Sequence, residues 1–333
     1  MNTTYPWLSE QWKQLRASAE NDRLGHALLF SGSDGLGVDE LALAFSEHAL
    51  CEASDDRPCG ACRSCNLFAA GSHPDFKLLR PPEKGKAIVV DQVRGIAQFY
   101  ALKSHYARAK VVLIHPANSM NRAASNAILK ILEEPPAGAL LLLVAHRYSD
   151  ISMTIRSRCV RVPCDQVDRQ AALDWLAAKL PDQPQSGLNT LLRLSGGAPL
   201  SALALAANNG FEIDAQLCES FEKIVHRHSH ALVEAKKFKG LALAELQRHL
   251  GSMVMRIIFA KFRLHSFYEQ TTAPLDSRLQ GLSDHLNLKY LYAFLDLMVE
   301  SKSLAARQSG LRDGDLAETL WLGLALAAQN PSE

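Results

Sequence analysis

Residues 26–50, "HALLFSGSDGLGVDELALAFSEHAL", decide the fold of the first half of this 333-residue chain. An apolar run of strand length leads into a glycine-rich turn and then into a helix-like stretch, which is the setting of a phosphate-binding loop. Gly32 and Gly37 match the glycines of the G-x-x-x-x-G-K-[ST] pattern, with Gly35 between them. The last two positions of the pattern hold Val38 and Asp39.

These two substitutions predict an impaired nucleotide site. In a working loop the lysine reaches the β- and γ-phosphates and the hydroxyl holds Mg²⁺. Val38 has no donor, and two like charges at about 4 Å repel by roughly 4 kcal/mol at an effective dielectric near 20, so Asp39 would repel a phosphate. Asp39 and Glu40 instead suit the first turn of a helix, where their charges partly replace the absent phosphate. From the loop alone, an unrelated glycine turn before a helix fits equally well.

Apolar strands alternate with helical segments through residue 165, which predicts an α/β domain with a parallel sheet. The expected strands are 26–30, 75–79, 87–90, 110–114, 139–145 and 159–163. The strand "KVVLI" at 110–114 runs into His115-Pro116, with no acidic residue where catalytic P-loop proteins bind magnesium. After Pro163 the apolar residues follow helical spacing to the end of the chain.

Charge and hydropathy exclude some classes of function. The chain carries 36 basic and 35 acidic side chains, whereas a protein that held DNA alone would more often be clearly basic. No apolar run reaches about 18 residues, so no membrane span is expected. The N-terminus lacks the apolar centre of a secretory signal. A cytoplasmic location with reduced thiols follows as an expectation.

Four of the seven cysteines cluster as Cys51, Cys59, Cys62 and Cys65, with the spacing C-x7-C-x2-C-x2-C. Four thiolates around one ion make a closed tetrahedral zinc site, which would be structural because no position is left for water. The alternatives are four reduced thiols without metal, or a labile disulfide pair. His73 is a less favoured substitute ligand.

Together these motifs resemble the clamp-loader branch of the AAA+ superfamily. The resemblance rests on "HALLFSGSDGLG" (26–37), the four cysteines, "KVVLIHPANSMNRAASNAILKILEEPP" (110–136) and "IRSRC" (155–159), and the zinc insert narrows it to the bacterial γ/τ and δ′ subunits of DNA polymerase III. Active γ/τ subunits carry an intact Lys-Thr loop and an Asp-Glu strand end. Both of these features are absent from this chain, which therefore resembles the clamp-loader subunits that do not hydrolyse ATP. No nucleotide is expected at its phosphate loop.

The resemblance implies an AAA+ domain at 1–165 with a zinc-binding insert at 51–65, a helical lid at 166–208 and a helical collar for oligomerisation at 209–333. It implies a hetero-pentamer with γ/τ and δ subunits, which opens the β sliding clamp and places it on primed DNA. It also implies a location in the bacterial cytoplasm, at the replisome, with no membrane partner.

The resemblance also places Arg158, the arginine of the "SRC" motif, in the ATP site of a neighbouring subunit, with Ser157 and Cys159 supporting its loop. A guanidinium is permanently charged and forked, so it can stabilise charge that develops on a transferred phosphoryl group. A role in packing or at an interface is expected for two further pairs of residues. Glu133 and Glu134 end a helix before two prolines, and His146 and Arg147 follow a strand.

Two other functions remain open from the sequence. One is a residually active ATP-binding subunit of the γ/τ type, whose missing lysine is supplied elsewhere. The other is a zinc-dependent nucleic-acid-binding module, which the near-neutral charge does not favour.

Overall fold

The computed structural model describes residues 5–54, 57–83, 85–104, 106, 109–262, 281–306 and 312–329. The chain divides into two compact units, Met1–Ala172 and Leu173–Glu333. The further division of the helical part into a lid at 166–208 and a collar at 209–333 stays a prediction. Within the described ranges no single helix is long and apolar enough to cross a membrane, although the bent pair Gln185–Leu194 and Pro199–Ala207 passes that test by length and composition.

The first unit is built on a parallel sheet, as the sequence predicts, and five of the six expected strands are present. Its strands are β1 (Ala27–Ser31), β2 (Phe76–Leu79), β3 (Lys110–Ile114), β4 (Ala139–Ala145) and β5 (Val160–Pro163). Their order is β2-β3-β4-β1-β5, and every pair is parallel. Every residue of β1 and β3 is buried, because central strands of a covered parallel sheet have no solvent face.

In the described part of the first unit, the helices before Arg169 are α1 (Ser9–Glu20), α2 (Val38–Leu50), α3 (Arg63–Ala69), α4 (Val90–Ala101), α5 (Arg122–Glu133) and α6 (Met153–Arg156). In α5 the buried positions Ala124, Ile128, Ile131 and Leu132 recur at helical spacing. The Asn121 side chain caps α5 by accepting from the Ala124 amide at 2.8 Å. Pro135 and Pro136 follow the helix and prevent its continuation.

The strand expected at 87–90 does not form. Ile88 makes one isolated parallel bridge with Met120, and α4 already begins at Val90. The Val89 amide donates to Oε1 of Gln92 at 3.0 Å, which caps the helix and leaves no length for a strand. The β-branched residues "IVV" misled the prediction, because β-propensity reflects packing context more than backbone preference.

The second unit is helical throughout its described residues. Its helices are α7 (Arg169–Lys179, which begins in the first unit), α8 (Gln185–Leu194), α9 (Pro199–Ala207), α10 (Gly210–Val225), α11 (Ala231–Lys237), α12 (Leu243–Lys261), α13 (Leu288–Ala306) and α14 (Asp313–Gln329). The helical spacing that continues after Pro163 predicts these helices; α12 ends at Lys261, and residues 263–280 lie outside the described residues.

Apolar faces of α10 to α14 form the core of the second unit. Leu316, Leu320, Trp321 and Leu324 of α14 are all buried there, so this stripe is core packing. Trp321 stacks on Phe238 with ring centroids 5.4 Å apart.

Candidate functional site

The phosphate-loop segment lies at the carboxyl end of β1, an inner strand of the sheet. The chain leaves β1 at Ser31, passes through the glycine turn and enters α2 at Val38, so the predicted strand, turn and helix are all present. Gly37 is the residue before the helix and has φ 76°, a conformation that glycine adopts without strain. Parallel α/β sheets bind ligands outside the carboxyl ends of their strands, which is where this turn lies.

Val38 closes the inner side of the loop. Its side chain is only 4% exposed, and it lies directly over Gly32. A Cβ built on Gly32 would be 2.8 Å from Cγ2 of Val38 and 3.1 Å from Cβ of Cys164. An apolar side chain thus packs onto the first glycine of the loop, where it offers no donor to a phosphate.

Tyr5 and Trp7 cover the outer side of the loop. A Cβ on Gly37 would clash with the Tyr5 ring, which stacks on Trp7 with centroids 5.0 Å apart. The indole Nε1 of Trp7 donates to the Leu36 carbonyl at 2.9 Å, and Trp7 is buried. The sequence reasoning did not include these residues in the site; the only signal was a pair of aromatics in an otherwise polar N-terminus.

Histidines follow β3 and β4, at the positions where a catalytic relative would place metal-binding or sensing groups. His115 follows β3, and its Nδ1 lies 4.0 Å from Oδ2 of Asp39. His146 follows β4 and makes a 2.6 Å contact from Nδ1 to Oδ1 of Asp34, a residue of the glycine turn. The hydrogen bond with Asp34 raises the pKa of His146, whereas burial lowers the pKa of His115 despite the nearby Asp39 carboxylate.

Asp39 and Glu40 form a carboxyl pair in the first turn of α2. Burial raises the pKa of Asp39, but the hydrogen bond from Glu40, the charge of His115 and backbone amides together bring it below its usual range. Burial and the hydrogen bond to Asp39 raise the pKa of Glu40 to about 7. The pair therefore tends to share one proton and carry one negative charge at the helix N-terminus, where such a charge is favoured.

Arg158 lies in the exposed loop between α6 and β5. Its Nη2 contacts Oε1 of Glu133 at 2.7 Å, and its Nη1 donates to the Thr154 carbonyl at 3.0 Å. Ser157 donates to the same carbonyl at 3.1 Å, so the loop is held by its own side chains. Cys159 is half-buried, and burial raises the pKa of its thiol to about 12, which makes it unreactive.

The four clustered cysteines come together after α2. The Sγ atoms of Cys51, Cys59, Cys62 and Cys65 all lie within 4.8 Å of one another, and the pair Cys51–Cys62 is 3.9 Å apart. Sulfur atoms at 2.3 Å from a tetrahedral zinc are separated by about 3.8 Å, so this donor set fits the ion. Among the described residues, these four cysteines are the group of potential metal ligands whose donor atoms lie this close together.

Backbone amides orient these sulfurs. The amide of Cys59 donates to Cys51 Sγ at 3.4 Å, that of Cys62 to Cys59 Sγ at 3.3 Å, and that of Cys65 to Cys62 Sγ at 3.4 Å. Amides of Ala61 and Cys62 lower the pKa of Cys59 to about 6. Such N–H···S bonds favour the thiolate form that a metal requires.

His73 does not join the cysteines. Its Nδ1 accepts from the Asp75 amide at 3.0 Å, so Nε2 carries the proton and donates to Ser64 Oγ at 2.7 Å. Ser64 Oγ in turn donates to the Leu50 carbonyl at 2.6 Å. This buried relay fastens α3 to the end of α2 and holds the cysteine insert on the sheet domain.

A parallel sheet of order β2-β3-β4-β1-β5 with a glycine loop after β1, followed along the chain by a helical C-terminal unit, defines a protein of the AAA+ class. A family model described as "DNA polymerase III, delta subunit" matches residues 7–168. The chain is 35% identical over 326 residues to DNA polymerase III subunit delta' of Pseudomonas aeruginosa, covering 96% of this chain and 97% of that relative. It is 33% identical to the subunit of the same name from Escherichia coli K12, covering 87% and 86%. The chain belongs to the family of DNA polymerase III delta' subunits.

Among solved structures, a DNA polymerase III gamma subunit-related protein from Thermotoga maritima aligns with a TM-score of 0.46 at 17% identity. That alignment covers 95% of this chain and 99% of the other.

Proposed function

We propose that this chain is the non-hydrolysing δ′ subunit of a bacterial clamp loader. In this role it acts as a stator while the complex loads the β sliding clamp onto primed DNA during replication, and it supplies Arg158 to a neighbouring γ/τ ATP site. The observation that carries the proposal is the closed phosphate loop, with Val38 buried over Gly32 and Tyr5 over Gly37. It is combined with an exposed loop before β5, at the opposite edge of the sheet, that presents Arg158.

Three features of the closed loop argue against ATP hydrolysis by this chain. The lysine position holds a buried valine, so no cation reaches a γ-phosphate. The Asp39–Glu40 pair carries negative charge at the helix N-terminus that would otherwise bind phosphate. At the end of β3, His115 stands where a magnesium-binding carboxylate is required.

Arg158 suits a role in trans because its present contacts are weak. Its partner Glu133 is 51% exposed, and exposed ion pairs contribute only about 0.2–1 kcal/mol. The charge of a nucleotide γ-phosphate in a neighbouring subunit offers a stronger, multiply charged partner for a forked guanidinium. Glu133 therefore holds the arginine loosely until a subunit interface forms, and Ser157 and Cys159 shape the loop.

The partners follow from the proposed role. They are γ/τ and δ subunits in a hetero-pentamer, and through that complex the β clamp and primer-template DNA. The helical residues 166–208 and 209–333 would serve as lid and collar, and the assembly would act in the cytoplasm. We further assign a structural zinc ion to Cys51, Cys59, Cys62 and Cys65, since their sulfurs fit tetrahedral coordination.

Reconstitution with γ/τ and δ subunits tests this function. The wild-type chain should complete an assembly that loads clamps and turns over ATP when primed DNA is added, while the isolated chain binds no ATP in a calorimetric titration. Arg158→Ala should leave assembly intact and lower the DNA-stimulated turnover.

Arg161→Ala is the matched control, because Arg161 lies three residues further on and pairs at a 3.9 Å distance with Asp165 on an equally exposed surface. An equal loss of turnover in both variants, or no loss in Arg158→Ala, would contradict the assignment of the finger. ATP turnover by the purified chain alone would contradict the non-hydrolysing role.

A further inference from the structure

The ring of Tyr148 contacts two arginines that flank Arg158 in the sequence. The guanidinium carbon of Arg156 is 4.8 Å from the centroid of the Tyr148 ring, and that of Arg161 is 4.3 Å from it. Arg156 precedes Arg158 in the chain and Arg161 follows it. One aromatic ring therefore contacts both ends of the segment that carries Arg158.

Core packing fixes the position of this ring. Tyr148 begins a single 3₁₀ turn, Tyr148–Asp150, in the connection between β4 and α6. Its ring packs against the buried core of the first unit. Ile151 and Ile155 follow on the same connection, are 3% and 1% exposed, and belong to that core. The ring thus has a set position, against which the more exposed side chains of the loop are held.

The contact with Arg156 serves a buried part of a cation. Among the residues that the structure describes, Nε of Arg156 is buried and has no hydrogen-bond acceptor. The face of an aromatic ring carries partial negative charge, and it attracts a guanidinium that lies within about 6 Å of the ring centroid. The Tyr148 ring therefore offsets part of the cost of burying the Arg156 head group.

The contact with Arg161 acts at the other end of the segment, in β5. Arg161 is 47% exposed, and its acidic partner Asp165 lies 3.9 Å away, so their ion pair is weak. A guanidinium is planar and weakly hydrated, which lets it stack on an aromatic face even at a partly exposed position. The Tyr148 ring therefore adds a second attachment for the chain that leaves the Arg158 loop.

Between these two contacts the backbone has little support of its own. The Ser157 amide donates to the Met153 carbonyl and the Arg158 amide to the Ile155 carbonyl, both at 3.0 Å. These bonds belong to α6, which spans only four residues, and a helical turn of that length is not stable by itself. The side-chain contacts at both ends therefore determine how firmly the backbone of Arg158 is held.

We propose that Tyr148 is a positioning residue for Arg158, which fixes the finger loop by binding Arg156 and Arg161 on its ring. The inference rests on the proposed role of Arg158 in a neighbouring ATP site. Stabilisation of a transition state depends on exact geometry, so a loosely held loop would make the arginine less effective. Glu133 acts differently, because it contacts the guanidinium of Arg158 and not the backbone of its loop.

Hydrogen exchange of the isolated full chain, measured by mass spectrometry, tests the positioning itself. In Tyr148→Leu, peptides covering residues 153–161 should exchange about threefold to tenfold faster than in the wild type, because both cation–π contacts are lost. Peptides of β3 should be unchanged, which shows that the sheet remains folded. Tyr148→Phe keeps the aromatic face and should exchange as the wild type does.

Tyr106→Leu is the matched control for the loss of a cation–π contact. Arg63 lies over the Tyr106 ring at 4.8 Å from its centroid, the same separation as between Arg156 and Tyr148, but in the region of the cysteine insert. This variant should leave the exchange of residues 153–161 unchanged.

Reconstitution with γ/τ and δ subunits tests the consequence for turnover. Tyr148→Leu should lower the kcat of DNA-stimulated ATP hydrolysis about threefold to tenfold and leave the KM for ATP unchanged, because the finger acts on the transition state. Tyr148→Phe and Tyr106→Leu should retain the wild-type kcat. Arg161→Ala should lose less activity than Tyr148→Leu, since Arg156 still contacts the ring.

Each possible result supports or overturns the inference. Unchanged exchange in Tyr148→Leu, equal effects of Tyr148→Leu and Tyr148→Phe, or a raised KM with unchanged kcat would overturn it. If Arg158→Ala lowers turnover while Tyr148→Leu does not, only the role of Tyr148 is wrong. If Arg158→Ala has no effect, the assignment of the finger is wrong, and the role of Tyr148 is wrong with it.

Discussion

Removing the buried carboxylate of Asp75 should destabilise the first unit severely. Asp75 is completely buried and lies just before β2, and its Oδ1 is 3.3 Å from Nζ of Lys110, which is 6% exposed. The other carboxylate oxygen accepts from Ser104 Oγ and from the Tyr106 amide, both at 3.0 Å. Asp75→Ala would therefore remove the counter-charge of a buried ammonium and the carboxylate that accepts these two hydrogen bonds.

The expected cost follows from these contacts. Breaking a buried ion pair by removing one partner costs about 3–5 kcal/mol, because the remaining charge is uncompensated. In Asp75→Ala/Lys110→Met no charge is left, and the loss of the two hydrogen bonds named above costs about 1 kcal/mol each. Methionine also keeps an apolar stem near the Phe99 ring, over which Lys110 now lies at 4.2 Å. The double variant should thus recover about 1–3 kcal/mol of the loss in the single variant.

Native-state hydrogen exchange measured by mass spectrometry is the suitable assay, because a chain of two units need not unfold in one transition. Peptides covering β3, Lys110–Ile114, report the opening free energy of the first unit. Peptides from α12, Leu243–Lys261, serve as an internal control in the second unit. A cost below about 1 kcal/mol for Asp75→Ala, or a double variant as unstable as the single one, would refute the reasoning about the uncompensated charge.

Four further outcomes are expected. Cys62→Ser should lose zinc by elemental analysis and lower the melting temperature; a variant that keeps one zinc per chain would remove Cys62 from the ligand set. Val38→Lys should still bind no Mg·ATP in calorimetry, because the magnesium ligands remain absent and the loop remains covered. Glu133→Gln should raise DNA-stimulated turnover of the reconstituted complex by up to about fivefold, the equivalent of 1 kcal/mol, by releasing Arg158; a fall in turnover would mean that Glu133 supports the arginine instead. In the folded chain the pKa of Glu40 is raised from 4.5 to about 7. The protonated carboxyl therefore stabilises the folded state fully below pH 4.5, and this stabilisation is lost as the pH rises through 7. Glu40→Gln should therefore increase the melting temperature relative to wild type at pH 8 more than at pH 5, and an equal shift at both would count against the shared proton.

The local pattern of residues was enough to predict the sheet and the gathering of the cysteines. The runs "VVLI" (111–114) and "ALLLLVA" (139–145) are short and apolar at every position, which favours buried strands covered by helices. Two C-x2-C steps place three thiols within seven residues of sequence, and Cys51 comes from the end of the preceding helix. The strand predicted at 87–90 was wrong, because this stretch is short and its β-branched residues were the only sign of a strand. The Val89 amide, which a strand would have used for pairing, caps the helix instead.

The sequence alone determined that the phosphate-binding lysine and the magnesium ligands of a working loop are absent, because each is decided by the residue at a single position. Only the tertiary structure decided what took their place. The contact of Tyr5 with Gly37 and the contact of Arg158 with Glu133 each join segments that are distant along the chain. Such contacts depend on how elements pack together, and no local periodicity or propensity encodes them.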